Sequence, residues 1–435
     1  MASLTWLCCA RSGAGPPGAE RAPAAGRLAA QVSPLRTVDP DDRDFSDLEA
    51  LRALVGSARI VMLGERSHGD GVALYAKLRL IEFLHREMGF GVLALESGLD
   101  DCRQTFERWR AGDDSEKAAS GCLPTKWRGS DQAVKIRRYL SQAARADRPL
   151  QLAGFDCQIS NRDDPAATAR SVAEFLRELS PSLEGSPRLA AITEAVGKLR
   201  DYERKRTAAE RDRDRAAIAD LATLVAAPGP CRPGRAHFQQ LAKSLAVQEV
   251  SNWDYQSKGD VDIAQINMRD AQMADNLAFL AEVRYPRERI IVSAATYHIM
   301  RNAQAIRPIP GKSGGPASMG DMIDGLVPMG ELVRRRFGAS AIALGFVTAF
   351  GHSSCCDRER TQGLDPAPAG SLEAMLEATG QRFALLDLRA LRRTMPGETI
   401  LGRPQGHGFY VVDWPEILDG VVFLREMTTL SPATP

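Results

Sequence analysis

Arg59–Glu96 reads RIVMLGERSHGDGVALYAKLRLIEFLHREMGFGVLALE, and its alternation of apolar runs, glycines and charged residues decides the fold. Ile60–Leu63 is a short apolar run that suits a buried parallel strand. Glu65 and His68 follow in a turn bracketed by Gly64 and Gly69. Leu74, Leu78, Ile81 and Leu84 then recur at three- and four-residue steps, which predicts a helix with one apolar face. Gly89 suits its C-terminal cap. Val92–Leu95 is a second apolar run, ending at Glu96. Strand, helix, strand implies an α/β protein with a mostly parallel sheet flanked by helices. Ligands of such sheets bind beyond the carboxyl ends of the strands. Glu65, His68 and Glu96 fall at two such ends.

The arrangement recurs downstream. PLQLAGF (Pro149–Phe155) reads as a strand ending at Asp156. RIIVSA (Arg289–Ala294) precedes His298, and AIALGFVTAF (Ala341–Phe350) precedes Gly351 and His352. Five predicted strands thus bring carboxylates or imidazoles to one rim. FALLDL and GVVFL, in the tail from Phe383, read as two more strands. Between residues 165 and 260 no strand pattern stands out. That stretch reads as a helical insertion that roofs the strand ends, within one α/β domain formed by 37–164 and 261–435. Its charge-dense piece, KLRDYERKRTAAERDRD (Lys198–Asp214), reads as a solvated helical face. PGPCRPG (Pro228–Gly234) divides two helical pieces. Trp253 and Tyr255, near the exit of the insertion, are candidate apolar substrate contacts. IRPIPGKSGGPASMG (Ile306–Gly320) reads as a mobile loop.

The chain has 435 residues, with 44% hydrophobic and 26% charged, a balance that buries a large core. A formal net charge of +1 gives no general electrostatic pull toward nucleic acid or a membrane surface. No apolar run approaches the length of a membrane span. The eight cysteines are scattered without a CxxC pair, which predicts reduced thiols and a cytoplasmic location. Cys355 and Cys356 beside His352 lack the usual spacing of zinc ligands. Residues 1–36, rich in Ala, Gly, Pro and Arg, read as a disordered leader. Leu4–Ala10 is short for the core of a signal peptide.

GERSHG, the ALES run holding Glu96, GFDCQ around Asp156, RDAQMADNLAFL (Arg269–Leu280), the His298 segment and MGELVRRRFG followed by ALGF occur in the order seen in the erythromycin esterase family. In those landmarks the chain resembles that family from about Asp47 to Leu424. The resemblance implies a hydrolase that opens a macrolide lactone, an antibiotic-resistance activity, without metal or other cofactor. It implies that His68 is the general base activating water, with Glu65, Glu96 and His298 completing the catalytic set. Lys77 matches a basic position on the first helix and, with Asp156, Trp253 and Tyr255, makes the candidate substrate-binding set. The family's later segment has two histidines three residues apart. His298 matches the second, and Ala295 stands at the first.

Read from the residues alone, Glu65 beside His68 fixes the tautomer of an imidazole that takes a proton from water. The competing structural reading makes Ser67 and Glu65 caps of the following helix. Ser67 does not stand in the G-x-S-x-G spacing of a nucleophile elbow. Two alternatives remain beside the esterase: a metal-dependent hydrolase on the same rim, and a binding protein that lost its chemistry with the histidine missing at Ala295.

Overall fold

A computed structural model describes residues 26–228, 232, 234–309, 323–354, 361–406 and 408–433. Its strands are β1 (Val32–Leu35), β2 (Ile60–Glu65), β3 (Val92–Gly98), β4 (Gln151–Asp156), β5 (Ile290–Ala295), β6 (Ile306–Arg307), β7 (Ala341–Ser354), β8 (Thr361–Leu364), β9 (Phe383–Asp387), β10 (Ile400–Gly402), β11 (Tyr410–Val412) and β12 (Gly420–Met427). The main sheet runs β1-β9-β12-β7-β2-β5-β3-β4, with β8 paired to β7. From β12 to β4 every neighbouring pair is parallel. β1, β9 and β8 add antiparallel pairs. β10, β11 and β6 form a small separate sheet. The fold is therefore the mixed α/β architecture expected, a mostly parallel sheet covered by helices.

Alternation along each strand splits the core into two layers. Val61, Leu63, Leu93 and Leu95 pack with Leu74, Leu78, Phe83 and Leu84 of helix α1 (Gly71–Met88) on one face. Ile60, Met62, Val92 and Ala94 face the other way. There they meet Val172 and Leu176 of α4 (Ala167–Leu179), Ile192 of α5 (Pro187–Lys198), Leu221 of α6 (Ala208–Ala226), Leu245 of α7 (Arg235–Lys258) and Met273 and Leu277 of α8 (Ile263–Phe279). α2 (Leu99–Arg110) and α3 (Asp131–Ala143) connect β3 to β4. The helices of 165–260 thus share one continuous core with the sheet. Residues 200, 202, 248, 251, 252 and 255 of this stretch also line a cavity at the strand ends.

Gly89 adopts a left-handed conformation (φ 75°) at the end of α1, as its sequence position predicts. α1 itself is more enclosed than one apolar face requires, since Lys77, Arg79, Glu82 and His85 are also buried.

Several sequence expectations are corrected. Val32–Leu35, placed in the leader, is an edge strand on β9, and Leu28 before it is fully buried. Lys198–Asp214 is not one solvated helix. α5 ends at Lys198, and α6 starts after Thr207, whose capping box with Glu210 begins a new helix. Its charges pair inward: Asp214 is buried between Lys198 (3.0 Å) and Arg206 (3.5 Å). Ile306 and Arg307 belong to β6 rather than to the loop, and residues 310–322 lie outside the described residues. The thiols are not all reduced. Cys102 of α2 and Cys122 form a disulfide, while Cys157 is free and buried. The pair is 20 residues apart and meets only because the chain between doubles back on α2, which spacing does not reveal. The cytoplasmic expectation loses that support. Among the described residues, no helix is long and apolar enough to cross a membrane. Cys355, Cys356 and the first 25 residues lie outside the described residues.

Candidate active site

Four strand ends and one helix build the site. Glu65 is the last residue of β2, and His68 follows in the turn before α1. Glu96 lies inside β3, where the register against β4 shifts between Leu95 and Gly98. Such a bulge re-aims a side chain at the sheet's edge, which is why the strand runs past Glu96 rather than stopping before it. Asp156 ends β4. His298 sits on a single helical turn, Thr296–Ile299, directly after β5. Gly64 makes room for that turn, because a Cβ there would lie 2.5 Å from Ile299 and 2.8 Å from the Thr296 backbone.

The two imidazoles are held in the same way. His68 Nδ1 lies 2.7 Å from Glu65 Oε1, and His298 Nδ1 lies 2.7 Å from Asp270 Oδ1. Both Nε2 atoms turn toward Glu96 Oε1, at 3.8 Å for His68 and 3.4 Å for His298. Glu96 Oε2 accepts the backbone N–H of Ala295 at 2.8 Å, and Arg269 lies 3.3 Å from Oε1. Arg269 also binds Asp156 through two nitrogens, at 3.1 and 2.6 Å. Trp127 Nε1 donates to the carbonyl of His68 at 2.8 Å and fixes its backbone.

The surroundings pull the two rings apart electrostatically. Burial pushes His68 down to about 4, against the upward pull of Glu96. Burial also acts downward on His298, but Asp270 and Glu96 outweigh it and raise the ring to about 10. His68 is therefore neutral and His298 protonated at neutral pH. Glu96 stays ionised well below its ordinary range. Its burial acts upward, and His298, His68 and Arg269 overcome it.

His68, Glu96, Asp156, Arg269 and Tyr255 line one cavity of about 890 Å³, with Arg200, Tyr202 and Asn252 of the helical region on its far wall. That volume suits a small-molecule ligand. The His68 side chain keeps 29% of its surface exposed there, whereas His298, at 4%, stands behind Glu96.

Other expected positions lie elsewhere. Lys77 does not line the cavity. Its Nζ is buried against Glu65 Oε2, Ser293 Oγ (3.1 Å) and the Ala294 carbonyl (3.0 Å). Its place on the inward side of α1 puts it behind the carboxylate. Trp253 does not line the cavity. It carries the Arg211 guanidinium 4.7 Å from its ring centroid. β7 continues through His352, which pairs opposite Gly363 and does not line the cavity. Ser67 donates to the Ser354 carbonyl at 2.9 Å, and neither it nor Glu65 caps α1, whose N-cap is Asp70. His237 binds Asp100 (2.9 Å) and His85 binds Tyr139 (2.8 Å), both as structural residues. Among the described residues no cluster of three or more His, Cys, Asp or Glu is placed to hold a metal.

Sequence reading missed Arg269 and Asp270. The signal was present: both fall among Ile266, Met273 and Leu277, on the stripe of α8 that packs inward. A charged pair on such a stripe has to be compensated by buried partners.

The mostly parallel α/β sheet thus carries two imidazoles at its carboxyl edge. The erythromycin esterase family model matches residues 85–427, and the chain belongs to that family. The matched residues begin after the Gly64–Gly69 turn, so Glu65 and His68 stand outside them. The Bacillus subtilis (strain 168) protein named "Putative hydrolase YbfO" is 23% identical over 412 residues, covering 90% of this chain and 89% of its own. Among solved structures, a Bacillus cereus protein superposes with a TM-score of 0.77 at 16% identity, over 95% of this chain and 99% of that one. A succinoglycan biosynthesis protein gives 0.75 at 17%, with the same coverage. A mutant of the erythromycin esterase EreC in its open conformation gives 0.65 at 16%, over 92% of this chain and 98% of that one. These likenesses are likenesses of fold.

Proposed function

We propose that the protein is a metal-independent carboxylic ester hydrolase that opens an ester or lactone with water activated by His68. The carrying observation is His68 itself. Its Nδ1 is held by Glu65 while its neutral Nε2 faces the cavity. Titratable groups whose surroundings push their pKa values apart mark the base and its charged partner. His68 is the base, and His298, protonated behind Glu96, is the fixed positive charge.

A water seated against His68 Nε2 and Glu96 Oε1 gives its proton to Nε2 as its oxygen attacks the ester carbonyl. Negative charge then develops on the carbonyl oxygen. Arg269 on the cavity wall and protonated His298 supply the opposing field without reorganising. Collapse of the intermediate breaks the bond to the alkoxide, which takes the proton back from His68 Nε2. The products are a carboxylic acid and an alcohol. At Ala295 the side chain is short, but the backbone N–H orients Glu96, so this position still contributes to the site.

The test is a panel of activated esters and one macrolactone, assayed with and without chelator. Hydrolysis that survives chelation supports the reading. Activity abolished by chelation and restored by a divalent ion assigns the metal alternative. Binding of the lactone without turnover of any ester assigns a binding protein.

A further inference from the structure

Among its described lining residues the cavity carries an excess of positive charge. Lys126, Arg128, Arg162, Arg200 and Arg269 line it, against only two carboxylates, Glu96 and Asp156. These cations are not equivalent. Arg269 is bound to Asp156 and Glu96. Arg128 pairs with Asp163 at 2.5 Å and lies 3.6 Å from Glu116. Among the described residues Arg162 and Arg200 make no ion pair, and the Nε–H of Arg200 is buried without a hydrogen-bond partner. An unanswered buried donor on a guanidinium costs stability, and two like charges side by side add repulsion.

The fold nevertheless fixes the backbone beside both arginines. Asp101 Oδ2 accepts the backbone N–H groups of Ser160 (2.6 Å) and Asn161 (3.3 Å), and Asn161 Oδ1 accepts those of Asp163 and Asp164. Arg162 stands in the middle of that fixed turn. The carbonyl of Leu199, the residue before Arg200, accepts Gln248 Nε2 (3.0 Å) and Asn252 Nδ2 (2.8 Å) from α7. Hydrogen bonds of the neighbouring backbone thus hold two like charges on the lining of one cavity. Their proximity shows in Arg200, whose pKa is lowered first by burial and then by Arg162. Tyr202 and Tyr255, ring centroids 5.7 Å apart, lie beside them in the cavity lining.

We infer that Arg162 and Arg200 form an anion subsite, so that the ester this cavity takes carries a carboxylate or phosphate on the part that does not react. Guanidinium groups match both anions through paired N–H donors. This rests on the ester-hydrolase reading for the reacting end of the substrate, but the subsite itself does not. The anion would take N–H groups of the two guanidiniums and relieve the repulsion. The ester carbonyl would then lie toward His68 and Glu96.

Three p-nitrophenyl esters of matched length separate the possibilities: the glutarate half-ester, the neutral butyrate, and a trimethylammonium-bearing ester. The wild type is expected to favour the anionic over the neutral ester by about tenfold or more in kcat/KM, a preference that shrinks as salt rises. Arg162→Glu, at an exposed position that tolerates change, should lower the anionic-to-neutral ratio by about tenfold and raise the cationic ester relative to both. Arg200→Gln should lower the same ratio. Competition by glutarate, by inorganic phosphate and by glycerol phosphate tells which anion the subsite prefers. A wild-type ratio near one, or a ratio that neither substitution moves, overturns the inference. If no ester is cleaved, the hydrolase reading fails separately. Calorimetric titration with glutarate and with phosphate then decides the subsite: heat that disappears in Arg162→Glu supports it, and absence of heat with both anions overturns it.

Discussion

The turns that carry His68 and His298 are built alike and behave oppositely. In each a carboxylate meets Nδ1 at 2.7 Å, Glu65 from β2 and Asp270 from α8, and Nε2 faces the same oxygen of Glu96. The difference lies one contact further out. Glu65 is already answered by the buried Lys77 ammonium, so the pair presents little net charge to His68. Among the described residues Asp270 accepts an uncharged backbone N–H from Met329 (2.9 Å) besides the ring, and its charge acts on His298. His68 also faces the positive charges of Lys126, His298 and Arg269, which push its pKa the same way as burial. Lys77 itself is pulled down to about 7 by burial, with Glu96 acting against that.

Breaking the first turn should have the largest effect. His68→Ala is expected to cut kcat/KM by about 10²–10⁴-fold, the usual contribution of a positioned general base, with the circular dichroism spectrum and melting temperature retained. Near-normal turnover in a folded variant removes His68 from the mechanism. Asp270→Asn attacks the second turn. In the wild type the active form needs neutral His68 and protonated His298. Activity should therefore fall as pH drops through about 4 and again as pH rises through about 10. Without the Asp270 charge, the alkaline limb should move down toward the ordinary histidine range, and turnover at pH 8 should drop by about tenfold or more. An unmoved alkaline limb would show that Asp270 does not set the charge of His298.

Lys77→Met tests the comparison most directly. Glu65 would then act on His68 unopposed, raise its pKa and move the acid limb upward, with a several-fold loss near pH 5 and a smaller one at pH 8. The substitution also leaves a buried carboxylate unpaired, at a cost of about 3–5 kcal/mol, so the limb's position rather than the rate is the readout. The smallest effects separate two aromatic residues. Tyr255→Ala, on the cavity wall, should raise KM several-fold. Trp253→Ala should leave KM within about twofold and cost about 0.5–1 kcal/mol through its contact with Arg211. Equal KM changes in the two would refute their different placement.

What the sequence revealed follows its range of interaction. β2, α1 and β3 were legible because strand and helix periods are written locally, and Glu65 with His68 because three residues separate them. β1 was not, since four residues at an edge carry no period of their own and are held by β9, some 350 positions away in chain order. Lys77 was visible as a basic residue, but its partners Ser293 and Ala294 were not, so its role behind Glu65 could not be read. Arg269 and Asp270 lay in a quoted motif, yet their partners come from β3, β4 and the turn after β5. The disulfide and the inward pairing of Asp214 were hidden for the same reason.

β5 lies between β2 and β3 in the sheet, and this fixes when the site can exist. Strand pairing at Ile60–Ile290 and Val92–Ile290 spans some 200 residues of chain. A ribosome that has released only the first 280 residues has emitted Glu65, His68, Glu96, Asp156 and Asp270, but β5, which pairs with both β2 and β3, is still to come. Assembly of the site waits for one six-residue strand to thread into the gap. Contacts of that sequence separation are slow to form, and until they do the edges of β2 and β3 are open to other chains. The insertion that furnishes the far wall of the cavity also sets the length of that delay.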